Sequence, residues 1–338
     1  MKNKKESFGY EDAAYASEYV ANQVAAANLD PNEIRDGLIL GSGIGSFAET
    51  HMDENSVSVD FNDIYSGLNI KARLDSVPGH ARKLVIGALK EDPKGGLVIA
   101  QSGREHPYEG IPTQRSVFWV RVMQLLGVKT LTGSTATGIL TPKTLQPPAL
   151  MVINADHDLG NDNPLVGANR EEFGPRFPHM SDHYPKKTRE IIQQVIKKND
   201  MQDIPEGVYV RIKGPNYERP EDTYSLRALV NSIWDEGQKQ KGEDRFKGGP
   251  VAVVGMSTVF EQMVAQHATQ SKKHPAFLEG RAAIAVATDY AGSASEDGFV
   301  GHINHEEVKE MAAKVEDRLG KLIKETMLEM RHQISKTA

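Results

Sequence analysis

The sequence contains no cysteine. It therefore has no disulfide and no thiolate metal ligand, a composition that fits a reducing, cytoplasmic setting. No apolar run approaches the roughly 18–20 residues that a membrane-spanning helix requires. The opening MKNKKESFGYEDAAYA puts basic residues before an AYA that mimics a cleavage site, but the apolar stretch of a signal peptide is missing between them. Excess positive charge is missing too. Forty Lys and Arg against 46 Asp and Glu leave a net charge of −6, the wrong sign for a surface that holds nucleic acid. No internal repeat is visible, and no set of side chains has metal-ligand spacing.

What is present is an alternation of apolar runs and amphipathic stretches along 338 residues. Strands are expected at 37–41, 56–61, 83–89, 96–102, 149–154, 207–213, 250–256 and 282–288. Several are apolar on consecutive residues, as in strands covered on both faces. EDPKGG between the third and fourth reads as a hairpin turn. A helix fits 113–127. The last helix is the clearest: Val308, Met311, Val315, Leu319, Leu322, Met327 and Met330 recur at helical spacing, and Asn304 with Glu307 resembles a capping box. The pattern predicts an α/β fold, a single domain over 1–338 with a central mixed β-sheet flanked by helices and a core at about 35–330. Two polar stretches, 234–249 and 268–280, read as surface insertions.

Chemistry is concentrated at small-residue turns. LILGSGIGSF (38–47) runs an apolar strand into Gly41, Gly43 and Gly45, whose bare N–H groups suit an anion. Gly43, Gly45 and Ala48 fit a dinucleotide fingerprint, with Asp60 or Asp63 as the ribose partner, which would make the chain an NAD-dependent oxidoreductase. Ser42 instead suits a free phosphate, and a plain tight turn needs no ligand at all. QSGREHPYEG (101–110) then breaks a strand into a loop with Arg104, a fork for phosphate oxygens, His106 as a second donor, Tyr108, and Glu109 to hold the imidazole ring. Without a partner site, such a loop is merely solvated. STATGILTP (134–142) reads as another small-residue turn after an apolar run.

These stretches, with PGHARKLVIG, NPLVGAN, FGPRFPHMSD, GPNYE, GMSTVFEQMVAQH and HEEV, resemble the trimeric class of purine nucleoside phosphorylases, in that family's order over about residues 35–325. The resemblance implies reversible phosphorolysis of purine nucleosides, with inorganic phosphate as co-substrate and no other cofactor, in a cytoplasmic homotrimer whose sites lie near subunit boundaries. It implies a phosphate site at Ser42, His80, Arg104, His106, the backbone of Ala136, and Ser257. Tyr108, Met256 and His305 match ribose-contacting positions, and Phe177 the aromatic lent by a neighbouring subunit. Tyr217 and Glu218 match purine-binding positions. Catalytic roles then fall to His106, Glu218, Asp289 and His305.

One position departs from the pattern. ATDYAG (287–292) carries Asp289 where enzymes for 6-oxopurines usually have Asn. Asn donates to O6 and N7, whereas an ionised Asp only accepts and a protonated one donates. Glu218 can accept from N1–H of inosine or guanosine, and His305 favours a free 5′-hydroxyl. Together they point to 6-oxopurine nucleosides, while Asp289 opens the site to adenosine and to the alternative of a methylthioadenosine phosphorylase. A nucleoside-binding protein without catalysis is the remaining reading.

Overall fold

The computed structural model describes residues 8–41, 45–70, 81–239, 249–295, 298, 301, 302 and 304–335. Nine strands are connected in one mixed sheet: β1 Ile34–Leu40, β2 Val57–Asp60, β3 Lys83–Leu89, β4 Asp92–Ser102, β5 Thr130–Ile139, β6 Ala149–Asp158, β7 Glu206–Arg211, β8 Ala252–Gly255 and β9 Gly280–Tyr290. The helices are α1 Tyr10–Ala26, α2 Phe47–His51, α3 Phe61–Gly67, α4 Thr113–Ser116, α5 Phe118–Leu125, α6 Lys186–Lys198, α7 Pro220–Gln238, α8 Val259–Thr269, α9 His305–Ala313 and α10 Glu316–Ser335.

The strand order is β2-β3-β4-β1-β5-β8-β7-β6-β9, and β9 also pairs with β5. The sheet thus closes a five-stranded ring, β5-β8-β7-β6-β9, with β1 to β4 extending from it through β5. The eight runs expected from the sequence are all strands, but β5 is a strand that the turn assigned to 134–142 obscured. Its Thr- and Gly-rich sequence, TLTGSTATGI, does not alternate. Small size is what its place demands, because it pairs with β1, β8 and β9.

Period-two alternation builds the layers. Ile39, Leu84, Ile86, Leu97 and Ile99 face a core shared with α1, α5 and α8; Leu38, Leu40, Val85, Val98 and Ala100 face the opposite core, with α10. In β9, Ile284 and Val286 face outward toward α6 and α10, whereas Ala283, Ala285 and Ala287 point into the ring with Met151, Ile153, Tyr209 and Val253. Three alanines leave room inside the narrow ring for the larger side chains of its other strands.

Four boundaries differ from the sequence reading. The helix expected at 113–127 breaks at Val117, where the backbone takes φ −110 and ψ 8. The last helix is two, α9 and α10; Asn304 does cap the first, accepting the Glu307 N–H at 3.0 Å. The polar stretch 268–280 is no mere surface insertion. Ala268, Ala276 and Phe277 are buried, and Phe277 packs into the core with α5 and α8. The start of 234–249 likewise belongs to α7, with Trp234 buried, while 240–248 lie outside the described residues.

α10 is clipped to the sheet by Arg331. Its Nε and Nη2 reach Asp36 on β1 at 2.8 and 2.6 Å, and its Nη1 donates to Asp92 on β4 at 2.8 Å. The other Asp36 oxygen accepts from Thr130 Oγ1 at 2.7 Å. Asp36 is fully buried, so removing the cation leaves a carboxylate without its countercharge. Arg331→Met is expected to lower unfolding free energy by about 3 kcal/mol in urea titration.

Candidate active site

A cleft of about 340 Å³ is lined by residues from six chain segments. The loop after β4 contributes Arg104, His106 and Tyr108, and β5 contributes Thr135–Gly138. The segments after β7 and β8 contribute Tyr217 with Glu218, and Met256 with Ser257. Asp289 comes from the end of β9 and His305 from the first turn of α9. Ten of the positions implied by resemblance therefore meet in one cleft: Arg104, His106, Tyr108, Ala136, Tyr217, Glu218, Met256, Ser257, Asp289 and His305. Ser42 and His80 lie outside the described residues. Phe177 does not line the cleft and is 89% exposed.

Close backbone approach sets the floor. A side chain at Gly41 would bring its Cβ to 2.7 Å from Ser134 O and 3.0 Å from Arg104 Nη1, so β1 must end in glycine for β5 and Arg104 to pack there. The Gly41 N–H donates to Ser134 Oγ at 3.3 Å. Of the glycine turn, this is the part whose purpose is visible: the first glycine serves packing, not a ligand. Asp60, weighed as a ribose partner, instead caps α3 by accepting the Asn62 N–H at 2.8 Å.

Arg104 lies in the cleft, but the fork face of its guanidinium grips Glu261 on α8. Nε and Nη2 donate to the two carboxylate oxygens at 2.6 and 2.9 Å, and Nη1 donates to Ser134 O at 2.8 Å. The sequence reading missed Glu261. The available signal was the single charged side chain inside VFEQMVAQHA, a helix buried along most of its length, where burial demands a cationic partner. The pair fixes the guanidinium and offsets its charge, so an anion here depends also on neutral donors.

Those donors are organised around Ser257. His106 Nε2 lies 2.8 Å from Ser257 Oγ, and the Ser257 N–H donates to the Tyr209 hydroxyl at 3.0 Å. The following Thr258 sits at φ 61, ψ −38, with Val259 N–H donating back to Ser257 O at 2.8 Å. This is a γ-turn with positive φ at a β-branched residue, a strained conformation of the sort found where geometry serves a site. The His106 ring stacks on Tyr108, with centroids 4.7 Å apart. Glu109 holds His106 as the sequence suggested: one carboxylate oxygen accepts the His106 backbone N–H at 2.6 Å and lies 3.5 Å from Nδ1. Burial lowers the His106 pKa below the usual histidine value, against the opposing pull of Glu109.

The second group is acidic. Burial, reinforced by the charge of Asp289, pushes Glu218 up to about 7. Burial likewise pushes Asp289 up to about 6, although its Oδ1 accepts from Thr288 Oγ1 at 2.7 Å; Glu307 adds to the rise. Tyr217 is raised by burial and by both carboxylates. Burial, then Glu109 and Tyr217, raise Tyr108 while Arg104 opposes them, so it stands between the two groups. The cleft therefore joins hydrogen-bond donors and a guanidinium to two carboxyls whose burial raises their hold on a proton. Among the described residues, no group of three or more His, Asp or Glu side chains could hold a metal ion, and no helix is long and apolar enough to cross a membrane.

The sequence profile of the Phosphorylase superfamily matches residues 59–327. Purine nucleoside phosphorylase 1 of Bacillus subtilis is 34% identical, over 87% of this chain and 92% of its own. Purine nucleoside phosphorylase of Bos taurus is 32% identical, over 85% and 86%. Among solved structures, isoform 2 of purine nucleoside phosphorylase from Schistosoma mansoni, in complex with cytosine and ribose-1-phosphate, is 29% identical with a TM-score of 0.72, covering 94% of this chain and 96% of that one. Sequence, fold and cleft agree: the chain belongs to the phosphorylase superfamily, in its purine nucleoside phosphorylase family.

Proposed function

We propose that the chain catalyses reversible phosphorolysis of purine nucleosides, with inorganic phosphate as co-substrate and no further cofactor. The observation that carries this is the shared cleft: Arg104, His106 and Ser257 line it together with Glu218 and Asp289. In the reaction, phosphate attacks C1′ as the C1′–N9 bond breaks. The sugar gains cationic character and the purine leaves as an anion. Phosphate is held by Ser257 Oγ, the backbone at Ala136, Arg104 and His106, with Ser42 and His80 completing its site. Orientation and fixed charge supply most of the rate. Tyr108, Met256 and His305 seat the sugar. Tyr217 takes the base, Glu218 accepts from N1–H, and a protonated Asp289 donates at N7 as that nitrogen gains charge. The raised Asp289 carboxyl supports this division of labour, because only its neutral form has a proton to give.

This reading makes 6-oxopurine nucleosides the preferred substrates and leaves adenosine acceptable. It also makes the protein a cytoplasmic homotrimer. The 89% exposure of Phe177 suits a ring that completes the sugar site of a neighbouring copy.

The decisive assay compares inosine, guanosine, adenosine and methylthioadenosine with and without phosphate. Cleavage should require phosphate and favour inosine and guanosine. Asp289→Asn should raise the inosine-to-adenosine ratio by about tenfold, the worth of one hydrogen bond to a charged group. Methylthioadenosine as the best substrate by orders of magnitude overturns the preference, and nucleoside binding without turnover overturns the activity. Light scattering should give three times the 37.2 kDa chain mass, and a monomer removes the role of Phe177.

The same carboxyls make stability depend on pH. A raised folded-state value means that the contribution of Glu218 is fully present below its unfolded value and lost as pH rises through about 7. Glu218→Gln should therefore gain in Tm relative to the parent between pH 4 and pH 8. A constant difference across that range excludes a buried titration at Glu218.

A further inference from the structure

Arg82 stands out among the residues around the cleft. It directly precedes β3, its backbone lies in the left-handed region at φ 51, and its side chain is buried. An arginine is a poor choice for such a backbone, which glycine or asparagine adopts at lower cost. The position is also tied in place, since Arg82 O accepts the Phe61 N–H at 3.0 Å. A long cation kept at a strained, buried position needs a reason, and its contacts point to one.

Arg82 Nη2 donates to Glu109 Oε2 at 2.9 Å and lies 4.0 Å from Glu105 Oε1. Glu105 is separately held by Arg115, at 3.1 and 2.7 Å, and by the Tyr65 hydroxyl. Glu109 has its two oxygens divided: Oε2 goes to Arg82, and Oε1 to the backbone N–H and ring of His106. The side chain of Glu109 is 8% exposed, so water does little to screen it.

We propose that Arg82 is a positioning residue for His106. By occupying Oε2 of Glu109 it orients the carboxylate so that Oε1 meets the His106 backbone and ring. By neutralising Glu109 it keeps that ring uncharged when the anion arrives. This rests on the reading that His106 contributes to an anion site.

The electrostatics around the ring support the assignment. Among the described residues, the charged groups bearing on His106 include Arg104 and Glu109 from its own loop and Glu261 from α8. Ser257 meets it from the segment after β8, and Tyr108 stacks on it. Arg104 is already matched by Glu261. Glu109 is thus the anion nearest the ring, and it pulls toward the imidazolium. Without a cation on Oε2 that pull strengthens, and the ring protonates at higher pH.

The test is sulfate binding to the intact protein by calorimetry from pH 5 to 8. Sulfate mimics phosphate but stays a dianion throughout, so the pH at which its affinity changes reports the ring. Parent affinity should rise on acidification as the ring charges. In Arg82→Met the midpoint should move up by roughly one pH unit, the effect of an opposite charge at close range. In Arg82→Lys it should stay with the parent. In Arg82→Met with Glu109→Gln, which removes both charges, it should fall back to the parent value or below.

A purely structural role would lower Tm in all three variants and leave the midpoint alone, and that result overturns the proposal. If Arg82→Met does not fold, Arg82→Gln, which also removes the cation, takes its place with the same upward midpoint expected. A shifted midpoint in Arg82→Lys, or a double variant with its midpoint above the parent, overturns it equally. Parent protein that binds no sulfate at any pH removes the anion site itself. Parent binding with no movement in the variants removes only Arg82.

Discussion

The pairing of β5 with β9 is the constraint on which the rest of the molecule depends. It converts an open sheet into a closed ring: Thr130–Ile139 pair in parallel with Gly280–Tyr290, with one register shift between Thr137 and Gly138. Because β5 also pairs with β1, it joins the ring to the outer strands and brings the loop after β4 over the ring's edge. Arg104 bonds the β5 carbonyl at Ser134, and Ala136 and Gly138 line the cleft beside it. Were β5 bulky, neither the strand contacts nor the cleft would fit. Gly41, Gly133 and Gly138 all have neighbours that a Cβ would crowd, at 2.7, 3.3 and 3.1 Å.

On this frame the site is divided by charge type. At one end cations are already matched: Arg104 by Glu261, and Arg82 by Glu109. Buried pairs of this kind give modest net stability but fix geometry firmly, because losing either partner strands a charge. At the other end, burial makes both Glu218 and Asp289 hold protons more tightly than ordinary carboxyls, and Asp289 adds to the rise at Glu218. The proposed reaction would use this division, with an anion at the end of matched cations and a base at the end of the raised carboxyls.

Much of this could be read from the residues. The eight apolar runs became strands because consecutive burial on two faces leaves a strong mark, and Asn304 caps α9 because an Asx side chain before a periodic stretch has one common use. Arg104, His106 and Tyr108 were reachable from the residue types of their loop, whereas Tyr217, Glu218, Met256, Ser257, Asp289 and His305 were reached only through the family resemblance. β5 was not reachable by pattern, since crowding selects small residues that look like a turn. Glu261 and Arg82 were obscured for a different reason. Each lies in a stretch that carries the resemblance without itself marking a site, and its partner is distant in sequence, 157 positions for Glu261 and 27 for Arg82. Phe277 defeated a polarity average because a single apolar side chain in a hydrophilic segment carries the packing.

The carboxyl pair at the base end has one more effect. Glu218 and Asp289 sit close enough to neutrality, at about 7 and about 6, that the empty cleft is a mixture of protonation states. Any group that settles beside them and prefers one state takes up or releases a proton as it does so, and acidity then acts on this protein as a second, unseen ligand.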